Sequence, residues 1–101
     1  MKKGLPKETY QKNAKFYKIL SNPKRLEVLN LLKSGEMGVE ELLDITKIPK
    51  ENLSQHLSIL KEHHLVRNRR EGLYIFYTIT DKRIVDSCKV LQDLRNRKII
   101  K

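Results

Sequence analysis

The chain has 101 residues, of which 39% are hydrophobic and 34% charged, and a formal net charge of +10. That leaves room for one domain with a modest core and no second globular unit. No apolar run approaches the roughly 20 residues needed to cross a bilayer, and Met1-Lys2-Lys3-Gly4-Leu5-Pro6 does not lead into the apolar stretch of a secretory signal. The single cysteine, Cys88, excludes an intrachain disulfide or dithiol switch and fits a reducing compartment. A soluble, cytoplasmic protein is therefore expected, with an apolar content low enough that dimerisation would help complete its core.

In chain order, a first helix is expected over about residues 7–20, with Tyr10, Ala14, Tyr17 and Leu20 forming an apolar stripe. Asn22 can cap the next helix and Pro23 suits its first position. Leu26, Val28, Leu29, Leu31 and Leu32 make that second helix a central element, closed by Ser34-Gly35. Met37-Gly38-Val39 reads as a short strand, and Glu40 to Ile45 as a short third helix ending near Thr46-Lys47.

Pro49 biases Ile48 toward an extended conformation and so marks a turn. A fourth helix is expected from about Lys50 to Glu62, with Leu53, Leu57 and Leu60 on its buried side and Glu51, Gln55, Ser58 and Glu62 opposite. Leu65 to Arg70 and Leu73 to Thr80 are strands joined by a two-residue Glu71-Gly72 turn. Asp81 can cap a last helix running to about Arg97, with Ile84, Cys88, Leu91 and Leu94 as its seam.

The whole of residues 1–101 thus reads as one mainly α unit with a small β-hairpin (α+β). It is a winged helix-turn-helix with the helix-turn-helix at about 39–63 and the wing at about 65–79. A helix with one leucine edge and small hydrogen-bonding residues opposite suits a DNA major groove, and a basic hairpin beside it can hold phosphate. Charge is distributed accordingly: residues 1–25 carry +7, 26–46 carry −4, 47–80 carry +3 and 81–101 carry +4. Basic ends and a basic hairpin around an acidic centre suit a polyanion, although a merely solubilising lysine surface would give the same totals.

Three segments carry a family likeness. They are Leu20-Ser21-Asn22-Pro23-Lys24-Arg25-Leu26, then Ser54-Gln55-His56-Leu57, then Leu65-Val66 leading into Arg69-Arg70-Glu71-Gly72 with Tyr77 behind. In this order and spacing the chain resembles the ArsR/SmtB family of small dimeric repressors over about residues 10–95. The resemblance implies a homodimer built on the first and last helices (about 7–20 and 81–97), which places two recognition helices on an inverted repeat of double-stranded DNA. In its best-known form a metal ion or oxidant releases the promoter, a coupling usually of about 1–3 kcal/mol.

The chain departs from the family pattern in three places. Pro49 stands where a hydroxyl residue often caps the recognition helix, and His63-His64 replaces a small residue and glycine. The sensor motifs are also missing: Glu41-Leu42-Leu43-Asp44-Ile45 lacks paired cysteines, and Asp81 is followed by Lys82 and Arg83 rather than by a ligating histidine. No metal site, cofactor or inducer is therefore assigned.

Lys50, Asn52, Ser54 and Gln55 are the expected contacts on the recognition helix, because Gln pairs bidentately with adenine and Ser with base or phosphate. A solvated helix face is the bland alternative. His56 is included at the edge of the leucine stripe, where a structural role is the commoner one. On the wing, Arg69, Arg70 and Tyr74 are expected at phosphate or the minor groove, with Arg67 behind them; edge-strand protection is the alternative. Gln55→Ala should relax specificity and Arg69→Ala should weaken all sequences alike.

Cys88, on the expected dimer seam, is a small hydrophobe or a redox group met by its copy. No phosphate loop, nucleophile triad or carboxylate pair supports an enzyme. The rival readings are a winged-helix protein-interaction module and a non-specific DNA-binding protein.

Overall fold

Asn22 and Pro23 fix the first boundary of the fold as the sequence requires. In a computed structural model, which describes residues 3–101, helix α1 spans Lys7–Leu20 and α2 spans Pro23–Leu32. Between them the Asn22 side-chain oxygen accepts from the Lys24 and Arg25 backbone N–H groups at 2.9 and 3.2 Å. Those donors would otherwise be orphaned at the helix start. Met1 and Lys2, the start of the segment read for a secretory signal, lie outside the described residues.

Strand β1 (Met37–Gly38) leads directly into α3 (Val39–Thr46), and α4 (Lys50–Glu62) follows across a short turn. That turn is built by Thr46: its hydroxyl donates to the Leu42 carbonyl at 2.7 Å and accepts from Ile48 N–H at 3.2 Å. Lys47 takes a left-handed conformation (φ +57°). Pro49 precedes α4 without any side-chain cap, so the first turn of that helix lacks the hydrogen bond a hydroxyl residue would supply.

The far end of α4 is better held. Leu65 N–H donates to the Leu60 carbonyl and His64 N–H to the Lys61 carbonyl, with His64 left-handed (φ +60°). This is a Schellman motif with histidine in the position that glycine favours.

Strands β2 (Val66–Glu71) and β3 (Tyr74–Ile79) form the wing, and the antiparallel sheet has the order β1-β3-β2. Glu71 pairs with Tyr74, so the loop is Gly72-Leu73 and not the expected Glu71-Gly72. Gly72 has φ +63°, and glycine at the first loop position suits a type II′ turn as well as the second position suits others. The one-residue shift sets the register: Arg69 lies opposite Phe76 and Arg70 opposite Ile75. Because side chains alternate along a strand, the two arginines occupy opposite faces of the hairpin.

Asp81 caps not the last α-helix itself but a 3-10 turn, Lys82–Val85, after which α5 runs from Asp86 to Asn96. The tighter turn carries Val85 into the core, a residue outside the expected seam.

The core is formed by Val28, Leu29 and Leu32 of α2, Leu42 of α3 and the α4 leucines Leu53, Leu57 and Leu60. Leu20, Ile48, Leu65, Val66, Tyr77 and Val85 complete it. Helices α1 and α5 stand largely outside. Leu20 is the one buried residue of α1, and α5 has none. Of the stripe expected on α1, Tyr10, Ala14 and Tyr17 are exposed, while Phe16 and Ile19 pack on the core instead. The helix therefore has two apolar faces rather than one. A radius of gyration of 15.7 Å, against about 13 Å for a compact chain of this length, reflects the projecting helices.

Candidate nucleic-acid interface

With Leu53, Leu57 and Leu60 buried, Gln55 on the opposite side of α4, Asn52 and Ser54 on its flanks and Lys50 at its start are all exposed. Among the described residues none of these four side chains has an internal hydrogen bond or ion pair. They are idle donors and acceptors on a rigid element, which is what base-edge and phosphate contacts require. Lys50 and Ser54 also line a cleft of about 400 Å³ between the helix-turn-helix and the wing, together with Glu40 and Glu41 of α3 and Tyr74 and Phe76 of β3. Three of the expected contact residues (Lys50, Ser54 and Tyr74) thus share one concave surface, whereas Asn52 and Gln55 lie beyond its lining.

His56 is half-buried and turned toward α2. Arg25 Nε donates to His56 Nδ1 at 3.2 Å, so the ring proton sits on Nε2. Burial, followed by the positive charges of Arg25 and Lys24, holds the imidazole below its ordinary pKa and keeps it neutral. Arg25 also donates through Nη1 to the Ile19 carbonyl at 3.1 Å, tying the end of α1 to α4. Apart from the presence of Arg25 in its motif, no local pattern signals this knot.

The wing arginines differ from expectation in their partners. Arg69 forms a fork on Glu36, Nε at 2.8 Å and Nη2 at 2.7 Å, while Nη1 meets Glu71 at 2.7 Å. Its guanidinium also lies 4.5 Å from the centre of the Phe76 ring. The Glu36 carboxyl is held below its ordinary pKa, chiefly by the hydrogen bond from Arg69. Arg70 and Arg67 are exposed and have no internal ion pair among the described residues. Arg70 is therefore the freer of the two cations singled out for phosphate. Glu36 carried no expected role, and only the strand order could have revealed it.

Cys88 occupies a separate groove of about 190 Å³ between α1 and α5, with Tyr17, Leu20, Leu26 and Leu91. Asn30 Nδ2 approaches its sulfur at 3.4 Å. That groove shares no lining residue with the α4 cleft. Among the described residues no group of three or more His, Cys, Asp or Glu is gathered to hold a metal ion, and no helix is long and apolar enough to cross a membrane.

Residues 22–68 match the profile of the bacterial regulatory protein, arsR family. The chain is 39% identical over 88 residues to an uncharacterized HTH-type transcriptional regulator of Methanocaldococcus jannaschii, covering 86% of this chain and 99% of that protein. It is 31% identical to the transcriptional repressor SdpR of Bacillus subtilis, covering 80% and 90% of the two. HlyU from Vibrio cholerae superposes with a TM-score of 0.76 at 29% identity, over 88% of this chain and 97% of that one. A homodimeric winged helix-turn-helix DNA-binding domain from Mycobacterium bovis gives 0.75 at 29% identity, over 97% and 95%. A DNA-reading fold with an idle polar face on its fourth helix, matched along nearly its whole length by such regulators, identifies the chain as a member of the ArsR family of winged-helix transcriptional regulators.

Proposed function

We propose that two copies of this chain form a repressor that binds an imperfect inverted repeat, each presenting α4 to a major groove. Asn52, Ser54 and Gln55 read base edges in this arrangement, and Lys50, Arg70 and Tyr74 hold the phosphates. His56 supports α4 from behind and can offer a neutral Nε2–H. The observation that carries the reading is the absence of internal partners for the exposed polar groups of α4 among the described residues.

Dimerisation is supported by the uncovered apolar surface of α1 and α5, where Tyr10 is 52%, Tyr17 64%, Val90 55% and Leu91 41% exposed. The Mycobacterium bovis neighbour, similar over 97% of this chain, is described as homodimeric. A two-fold pair joined through these helices would place both α4 faces on one side, as a symmetric operator requires.

Selection from a randomised duplex pool, followed by anisotropy titration of the recovered duplex and its scrambled counterpart over a salt series, tests the reading. Tighter binding of the recovered inverted repeat at every salt concentration is expected. Equal affinity would leave a non-specific DNA-binding protein. No binding to either duplex would leave a protein-interaction module.

A further inference from the structure

We propose that Glu36 and Arg69 form a latch that fixes the wing against the start of the helix-turn-helix, making Arg69 a positioning residue for DNA binding rather than a phosphate contact. The consequence for DNA rests on the reading above; the latch itself is a property of the free protein. All three guanidinium nitrogens of Arg69 already meet carboxylate oxygens at 2.7–2.8 Å, two on Glu36 and one on Glu71. A phosphate approaching this arginine would have to displace one of two acids, and it would meet a local cluster that is net negative. Isolated surface ion pairs contribute little, but a bidentate arginine shared by two carboxylates is the geometry in which they hold.

The latch reaches beyond the hairpin. The Arg69 guanidinium lies over the Phe76 ring, and Gly38 packs close to the same ring: a Cβ on Gly38 would stand 3.3 Å from it. Gly38 is both the pairing partner of Phe76 in β1 and the residue that precedes α3. A chain of contacts therefore runs from Glu36 through Arg69 and Phe76 to the first helix of the helix-turn-helix. Both β1 and β2 are edge strands bonded to β3 alone, and β1 is only two residues long. Side chains must then supply what the short ladder does not. Phe76 also lines the cleft that Lys50 and Ser54 line, so the latch sets the spacing between wing and recognition helix.

Charge reversal tests this directly. Glu36→Arg, Arg69→Glu and the double variant are compared with the unaltered full chain in two measurements. One is amide exchange across residues 66–79 without DNA; the other is affinity for the selected inverted-repeat duplex over a salt series. Each single change is expected to speed exchange in the wing and to weaken binding about tenfold, including Glu36→Arg, which adds positive charge. The double variant should regain both properties to within about threefold, with the salt slope unchanged. A phosphate contact predicts the opposite pattern: Glu36→Arg tightens binding, while Arg69→Glu stays weak in the double variant with a slope shallower by about 0.9 per lost contact. That pattern, or wing exchange unaffected by either single change, overturns the latch. Should the unaltered chain bind no duplex, the DNA reading fails, and exchange in the wing still decides whether the latch exists.

Discussion

Helix α4 and the wing carry similar side chains in opposite states. On α4 the leucine side is buried and the polar side is left without internal partners, so the residues that look available in the sequence are available in the fold. On the wing the most prominent cation, Arg69, is exposed and yet fully engaged, held by Glu36, Glu71 and Phe76. An exposed charge is thus not the same as a free one. The difference follows from how each element is stabilised. A helix satisfies its own backbone and packs through one face, whereas a two-stranded hairpin is marginal alone and needs cross-strand side-chain contacts.

The largest expected effect concerns what the two regions share, the core beneath them. Leu57 is buried under α4 and also lines the cleft facing the wing. Leu57→Ala should lower stability by about 2–5 kcal/mol in denaturant unfolding, with loss of DNA binding as a consequence. A loss well below about 1 kcal/mol would mean that α4 is not anchored as described.

A sharper contrast comes from Gln55→Ala and Arg70→Ala, both at exposed sites. The first should reduce discrimination between selected and scrambled duplex by about 1–3 kcal/mol, leaving the salt slope alone. The second should weaken both duplexes alike and flatten the slope by about 0.9 per lost contact. Identical behaviour of the two variants would erase the distinction between reading helix and gripping wing.

The junction between the two regions offers a smaller change of opposite sign. His64 ends α4 at φ +60°, a conformation that disfavours a side chain by about 1–2 kcal/mol. His64→Gly should therefore raise stability, by about 1 kcal/mol once the greater freedom of glycine in the unfolded chain is included. Thermal unfolding would show it, and a decrease would place an unrecognised contact on the histidine ring.

The smallest effects are those of pH. His56 and Asp81 both have folded pKa values below their ordinary ones. His56 is lowered by burial and then by Arg25 and Lys24; Asp81 is lowered to about 2 by the Arg83 side chain and then its backbone N–H. For both groups the unfolded chain binds the proton more readily, so the stabilisation is present above the ordinary pKa and is lost as pH falls through the folded one. Melting temperature should fall first below the ordinary histidine range and again below the ordinary carboxylate range. His56→Gln should remove only the first step.

Much of this architecture was legible from residue order. Asn22-Pro23 and Pro49 punctuate the chain strongly enough to fix the starts of α2 and α4, and the leucine spacing identifies the buried side of α4. The hairpin was legible as an element but not in register, since a Gly at either loop position satisfies a two-residue turn. The Glu36–Arg69 fork joins residues 33 apart and depends on β1 lying beside β3, which no local pattern encodes. The two apolar faces of α1 were compressed into one because periodicity reports which residues are apolar and not which neighbour covers them.

Backbone and side-chain amide spectra of the isotope-labelled chain, recorded as the selected inverted-repeat duplex is added, decide whether α4 is the helix that meets DNA. The strongest perturbations are expected at residues 50–55, including the Asn52 and Gln55 side-chain amides, with Arg70 and Tyr74 next and α5 affected little. Perturbations concentrated on α1 and α5, with the exposed face of α4 silent, would contradict it.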